Sequence, residues 1–250
     1  MDLGIDGRVA LVLGASKGIG RGIAAALARE GARVAMTSRS QERIDGAAAE
    51  VEGDATGFEA DSLDLERMAA LPAEVAERLG PVEILVLNTG GPPLGGALDN
   101  PQEEWERAYR ELVLSPRAVV GAVLPGMRER GWGRITNVAS SSVREPIPYL
   151  ALSNTHRMAA VGFLKTLASE VAGDDITVNT VATGRFATDR LASNWASWEE
   201  MERGAAEGVP AGRLGQPEEF GDLVAFLSSE RAAFLTGAVI PLDGGMLRGV

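Results

Sequence analysis

The 250-residue chain has no cysteine, so disulfides, thiolate metal sites and cysteine nucleophiles are all excluded. It has one histidine, His156, which rules out any multi-histidine metal site. Basic residues are outnumbered: 24 Lys and Arg face 35 Asp and Glu, a formal net charge of −11. A surface that grips nucleic-acid phosphates needs a basic face, so no nucleic-acid partner is expected. No apolar stretch approaches the roughly 20 residues of a membrane span, and residues 1–7 carry no charged-then-apolar leader. A cytoplasmic protein that handles a small molecule, with no membrane partner, is expected. Long linkers, internal repeats and low-complexity segments are also missing, so residues 1–250 read as one continuous domain.

What is present is an alternation of short β-rich runs with longer helical patterns. This predicts an α/β fold with a parallel sheet covered on both faces. Strands are expected at 9–13, 33–37, 56–59, 84–88, 134–139, 177–182 and 238–241. The first is apolar throughout, as a strand buried on both sides should be. Ile19, Ile23 and Leu27 open a first helix that Gly31 stops. Further helices are expected at 41–52, 63–79, 101–130, 149–172 and 217–229. Residues 186–213 break the alternation and carry Trp195, Trp198 and Met201 among polar neighbours. They read either as a short helical flap over a site or as an ordinary pair of amphipathic surface helices.

Between the first strand and first helix lies Gly14-Ala15-Ser16-Lys17-Gly18-Ile19-Gly20. Glycines at such a junction let the backbone turn sharply and approach a pyrophosphate, and the helix N-terminus offers it free amides. The spacing is G-x-x-x-G-x-G, which departs from the common G-x-G-x-x-G of dinucleotide folds. The same residues spell G-x-S-x-G, the nucleophile elbow of hydrolases, and Ser16, Asp61 and His156 stand in a permissible order. An elbow follows several strands of its sheet, however, whereas this loop ends the very first.

With these residues in place, the chain resembles the short-chain dehydrogenase/reductase family over essentially its full length. Gly14, Gly18 and Gly20 resemble its cofactor loop, and Asp61-Ser62 its adenine-contacting pair. Asn88-Thr89-Gly90-Gly91 is similar to its Asn-Asn-Ala-Gly motif, and Asn137-Val138-Ala139-Ser140 to the strand ending in its catalytic serine. Val178-Asn179 and Thr183-Gly184 resemble its sixth-strand segment, with Thr183 in place of the usual proline. Leu242-Asp243-Gly244-Gly245 resembles the ending of the ketoacyl-reductase-like branch. The resemblance implies a single-domain, doubly wound Rossmann fold with a seven-stranded parallel sheet ordered 3-2-1-4-5-6-7. It also implies a nicotinamide cofactor held by Gly14, Ser16, Lys17, Gly18, Ile19, Gly20, Asp61, Ser62, Asn88, Gly90, Gly184 and Thr188. The second strand ends Met36-Thr37-Ser38-Arg39, without the carboxylate that would bind a free ribose 2′-hydroxyl. Arg39 and Lys17 suit a 2′-phosphate, so NADP(H) is expected over NAD(H).

The family's chemistry rests on Asn, Ser, Tyr and Lys, the last two in Tyr-x-x-x-Lys, and here the pattern breaks. Thirteen residues past Ser140 stands Ser153, where the resemblance places the tyrosine, and Arg157 takes the lysine position, where its charge would still hold the nicotinamide ribose of the cofactor. Leu112, seven past Trp105, takes the place of the asparagine. An aliphatic hydroxyl is a far weaker acid than a phenol, and losing positioned proton transfer costs roughly 10²–10⁴ in rate. Tyr149 is one substitute acid: on a continuous helix it would share the face of Ser153 one turn earlier, whereas Pro146 and Pro148 leave open a place in the loop before the helix. His156 is another, by its titration range, although packing roles remain open for both. Arg144 and Glu145, after the serine strand, read as a pair in solvent, with the binding of a charged substrate as the alternative. Three readings stay open: an NADP(H)-dependent oxidoreductase on a carbonyl or alcohol with a rearranged proton donor, a non-catalytic NADP(H)-binding sensor or partner protein, or an elimination or isomerisation run on electrostatics alone. By resemblance, the long helices at 101–130 and 149–172 would form a dimer face, often doubled to a tetramer.

Overall fold

A computed structural model describes residues 1–193 and 195–249. Its seven strands are β1 (Val9–Val12), β2 (Arg33–Ser38), β3 (Ala55–Glu59), β4 (Ile84–Asn88), β5 (Gly133–Val138), β6 (Ile176–Thr183) and β7 (Val239–Leu242). They form one sheet in the order β3-β2-β1-β4-β5-β6-β7 with every pairing parallel, as expected. Alternate side chains of a strand point to opposite faces, and β1 divides accordingly. Ala10 and Val12 join a core with Ile23, Leu27, Met36 and Phe220. Val9, Leu11 and Leu13 join another with Phe58, Leu71, Leu85 and Leu164. Both faces are dry, which is why the strand sequence runs apolar without alternation.

The first core lies under α1 (Gly18–Arg29), α2 (Gln41–Ala49) and α9 (Pro217–Leu227). Helices α1 and α9 cross closely because glycines meet there: a Cβ on Gly221 would stand 2.8 Å from that of Ala26, and one on Gly22 2.8 Å from that of Pro217. The second core lies under α3 (Leu65–Arg78), α5 (Ser115–Arg130) and α6 (Ala151–Val171). The short α4 (Gln102–Tyr109) precedes α5, and α7 (Asp189–Ala192) and α8 (Trp198–Ala206) follow β6.

Two expected helices are corrected. Residues 101–130 do not form one continuous α-helix: α4 and α5 are joined by a π-turn at Arg110–Leu114, where the Ser115 amide donates to the carbonyl of Arg110, five residues back. Pro116 has no N–H to give Leu112, so the ladder loosens there by one residue. The second helix begins at Ala151 rather than 149, because Tyr149 turns left-handed with φ +59°. Residues 186–213 contain α7 and α8 over a small core of Ala187, Met201, Ala205 and Leu214. Asn194, within that expected flap, lies outside the described residues. No helix among the described residues is long and apolar enough to cross a membrane.

Candidate active site

The loop between β1 and α1 is pinned from both sides. From β2, the Thr37 hydroxyl accepts from the Gly14 amide at 3.1 Å and its carbonyl from Ala15 at 2.8 Å. From β4, the Asn88 amide donates to the carbonyls of Leu13 at 3.2 Å and Gly14 at 3.0 Å. Gly14 and Gly18 have φ of +59° and +55°, a region that disfavours side chains. A Cβ on Gly20 would lie 2.6 Å from the Asn88 amide nitrogen. Lys17 starts α1 without a side-chain cap, and no acid stands in the first turn. The amides at that end are therefore left to an outside acceptor, which suits a pyrophosphate. Ile19 is partly buried against the α1-side core.

Around this loop lie the other expected cofactor residues. Arg39 is exposed past the end of β2. Beside it a depression of about 460 Å³ is lined by Ser16, Arg21, Ser40, Arg43, Glu42 and Glu50. Lys17 reaches the other way, to Asp189 on α7 at 3.1 Å, and both side chains are 65% exposed. An ion pair so exposed is worth about 0–1 kcal/mol and exchanges readily for another anion. The carboxylate of Asp61 accepts from the Leu63 amide at 3.0 Å, and the Ser62 hydroxyl donates to Glu111 at 3.3 Å. Thr188 starts α7, accepts from the Leu191 amide at 3.4 Å, and packs its methyl over Gly18. Gly184 has a packing reason for lacking a side chain, since a Cβ there would stand 2.5 Å from the Cα of Asp243. The Thr183 hydroxyl at the carboxyl end of β6 is buried with no partner among the described residues. An uncapped helix over a glycine cradle, with an orphaned hydroxyl on the same carboxyl edge, fits a dinucleotide.

At the other end of that edge stand the residues expected to carry chemistry. Ser140 follows β5, and its Oγ accepts from the Ser142 amide at 3.1 Å. Arg157, on α6, donates from Nη1 to the Val138 carbonyl at 3.0 Å and from Nη2 to the Gly90 carbonyl at 2.9 Å. It thus ties the end of β5, two residues before Ser140, to the turn after β4. Burial pushes its guanidinium down to about 10, and Arg190 pushes the same way while Glu111 opposes both. Ser153 lies one turn before Arg157 on α6 and is buried. Leu112 is buried in the π-turn, an apolar group at the asparagine position.

The two substitute acids do not join this cluster. Tyr149 lies outside α6 and 73% exposed, so it does not share the helical face of Ser153. Its carbonyl instead accepts from the Gly95 amide at 2.8 Å. His156 is buried toward α4, its ring centroid 5.4 Å from that of Trp105 and 6.1 Å from that of Tyr109. Its Nδ1 lies 2.8 Å from the Leu152 carbonyl within its own helix. Arg144 and Glu145 are not a mutual solvent pair either. The first donates to the Val239 carbonyl at 2.8 Å, and the second accepts from the amides of Arg248 at 3.2 Å and Gly249 at 3.1 Å.

Two residues in the cleft escape sequence reasoning. Glu111 faces Ser62 and sits 3.0 Å from where a Gly90 Cβ would be. The spacing from Trp105 that locates Leu112 also locates its neighbour, so a signal existed. Arg190 reaches from α7 to the Pro92 carbonyl at 3.0 Å, across Gly91. Nothing in its local sequence distinguishes it from a surface arginine.

The family model described as enoyl-(acyl carrier protein) reductase matches residues 14–247. A dehydrogenase/reductase SDR family member 4 from Bos taurus is 35% identical over 251 residues, covering 97% of this chain and 88% of that protein. The 3-oxoacyl-[acyl-carrier-protein] reductase FabG of Vibrio cholerae is 35% identical over 244 residues, 98% of this chain and 99% of that one. The L-sorbose reductase of Gluconobacter frateurii, solved with NADPH and L-sorbose, superposes with a TM-score of 0.94 at 32% identity and full coverage of both chains. A doubly wound sheet with a glycine cradle at its first crossover, shared with such relatives, defines the class of nicotinamide-dependent oxidoreductases. Within that class the chain belongs to the short-chain dehydrogenase/reductase family.

Proposed function

We propose that this protein is an NADP(H)-dependent reductase of a carbonyl substrate that works without a tyrosine acid. The observation that carries the reading is the pinned, uncapped glycine cradle, with Arg39 past the end of β2 where an NAD-preferring site has a carboxylate. Lys17 and Arg39 would take the 2′-phosphate, and the α1 amides the pyrophosphate. Bound there, the nicotinamide would supply hydride. Ser140 donates a hydrogen bond to the substrate oxygen, and Arg157 sets a fixed positive charge beside the alkoxide that develops. Arg157 does not release a proton near neutrality. With Ser153 too weak an acid and Tyr149 outside the cluster, the proton comes from solvent at the cleft mouth. Turnover is then slow relative to relatives that keep a phenol, by the roughly 10²–10⁴ that positioned proton transfer supplies.

The test is a fluorescence titration with NADPH and NADH, followed by turnover across a carbonyl panel that includes short ketoacyl thioesters. NADPH is expected to bind more than tenfold tighter than NADH, and Arg39→Asp to reverse the order. Equal affinities would remove the phosphate assignment. Replacement of the usual tyrosine, lysine and asparagine by Ser153, Arg157 and Leu112 favours a second reading, a non-catalytic NADP(H)-binding sensor or partner subunit. Tight NADPH binding with no turnover on any carbonyl would select it. We also infer a homodimer or tetramer through α4 and α6, where Tyr109 and Met158 each remain 45% exposed. Light scattering that shows a monomer at micromolar concentration would refute this.

A further inference from the structure

The turn after β4 carries two guanidinium groups. Arg157 occupies the carbonyl of Gly90 at 2.9 Å, and Arg190 that of Pro92 at 3.0 Å. Between them, Gly91 has no side chain, and a Cβ would lie 2.5 Å from Nη2 and 2.8 Å from Cζ of Arg190. The guanidinium lies against bare backbone, and among the described residues its one hydrogen-bond acceptor is the Pro92 carbonyl. Among the described residues Arg190 makes no ion pair. Its neighbour Asp189 is turned to Lys17. The carboxylate that acts on Arg157 is Glu111, which is turned to Ser62. Glu111 offsets Arg157 more than Arg190 opposes it, whereas Arg190, exposed on α7, has no carboxylate of its own among the described residues. Of the two cations at this turn, Arg190 is the one whose remaining donors are open to an anion from outside.

We propose that Arg190 is a specificity residue that receives an anionic group of the substrate, a carboxylate, at the Gly90–Pro92 turn. This rests on the reductase reading above and adds the substrate class. The planar fork of arginine matches a carboxylate with paired hydrogen bonds. A cofactor phosphate has the same chemistry, but the phosphate-binding groups, namely the α1 amides, Lys17 and Arg39, gather at the glycine loop. Arg190 lies instead at the end where Arg157 and Ser140 stand.

The experiment compares acetoacetate with methyl acetoacetate and levulinate with methyl levulinate, pairs that differ in charge and little else. Binding is read by fluorescence of the NADPH complex and by calorimetry without NADPH. Each free acid is expected to bind at least about tenfold tighter than its ester, a difference of about 1.4 kcal/mol. Arg190→Met should level each pair while leaving NADPH affinity within about twofold. Arg190→Lys should keep part of the preference, since the charge remains and the fork is lost. Equal binding of acid and ester, or no binding of either acid, overturns the proposal. So does an Arg190→Met protein that weakens NADPH tenfold and keeps the acid preference, because the arginine then serves a cofactor phosphate. A protein that takes up no NADPH refutes the reductase reading separately. The calorimetric acid-to-ester ratio still decides on Arg190 in that case.

Discussion

At the scale of single residues, the cleft has lost an acid and kept a charge. Arg157 is anchored by two main-chain carbonyls, so its position depends on the scaffold and not on a bound ligand. Restoring the family pattern with Ser153→Tyr and Arg157→Lys should therefore raise carbonyl turnover by about 10- to 100-fold. Leu112 would still occupy the asparagine position, which holds the gain below the full range. A turnover assay with saturating NADPH checks this, and an unchanged or lower rate in a folded double variant would show that the site is organised for something else. Tyr149 supports a separate prediction. A non-glycine residue at φ +59° carries strain of about 1–2 kcal/mol. Tyr149→Gly should release part of it, about 0.5–1 kcal/mol after the extra entropy of the unfolded chain, and raise Tm by 1–4 °C. If the tyrosine were the proton donor, the same variant would lose turnover by 10²-fold or more. Unchanged turnover with a higher Tm is the expected result.

At the scale of elements, the termini of helices hold much of the measurable electrostatics. Glu219 stands in the first turn of α9: its carboxylate accepts from the Gln216 amide at 2.8 Å and from both terminal nitrogens of Arg213 at 2.6 and 2.7 Å. The Arg213 hydrogen bonds hold it at about 2, below the ordinary 4.5. A carboxylate depressed on folding stabilises above its unfolded value and loses that contribution as pH falls through the folded one. Wild type should therefore exceed Glu219→Gln in Tm at pH 7, with the gap closing between about pH 4.5 and 2. A gap that persists at pH 2 would assign the effect to packing. The same scale shows where sequence reasoning holds and where it stops. The strands are legible because they are short, apolar and separated by turn signals, and their order follows from the family resemblance. The break in the 101–130 helix depends on one missing N–H at Pro116, which apolar periodicity does not register. The displacement of Tyr149 goes with Gly95, 54 positions away in the sequence, whose amide donates to the Tyr149 carbonyl and whose carbonyl accepts from the Ala151 amide. Long-range ties of that kind also decide the neighbours of His156 and Arg190, and local spacing carries no trace of them.

At the scale of the whole molecule, the acidic chain interleaves Lys17, Arg39, Arg157 and Arg190 with Asp61, Glu111 and Asp189 along its carboxyl edge. Affinity for a dinucleotide phosphate should fall as salt rises, because exposed cations are screened over about 8–10 Å at 0.1–0.15 M. Titrating NADPH from low to high ionic strength measures the slope.

That slope will be shallower than a count of basic side chains suggests. Asp189 already sits where it can act as a resident counter-ion for Lys17, so an arriving phosphate displaces it and one attraction is exchanged for another. Added electrolyte weakens the incumbent and the newcomer alike, and only their difference reaches the dissociation constant. Asp189→Asn removes the incumbent and leaves Lys17 as an uncontested cation toward the ligand, so binding becomes tighter in dilute buffer and more easily salted off.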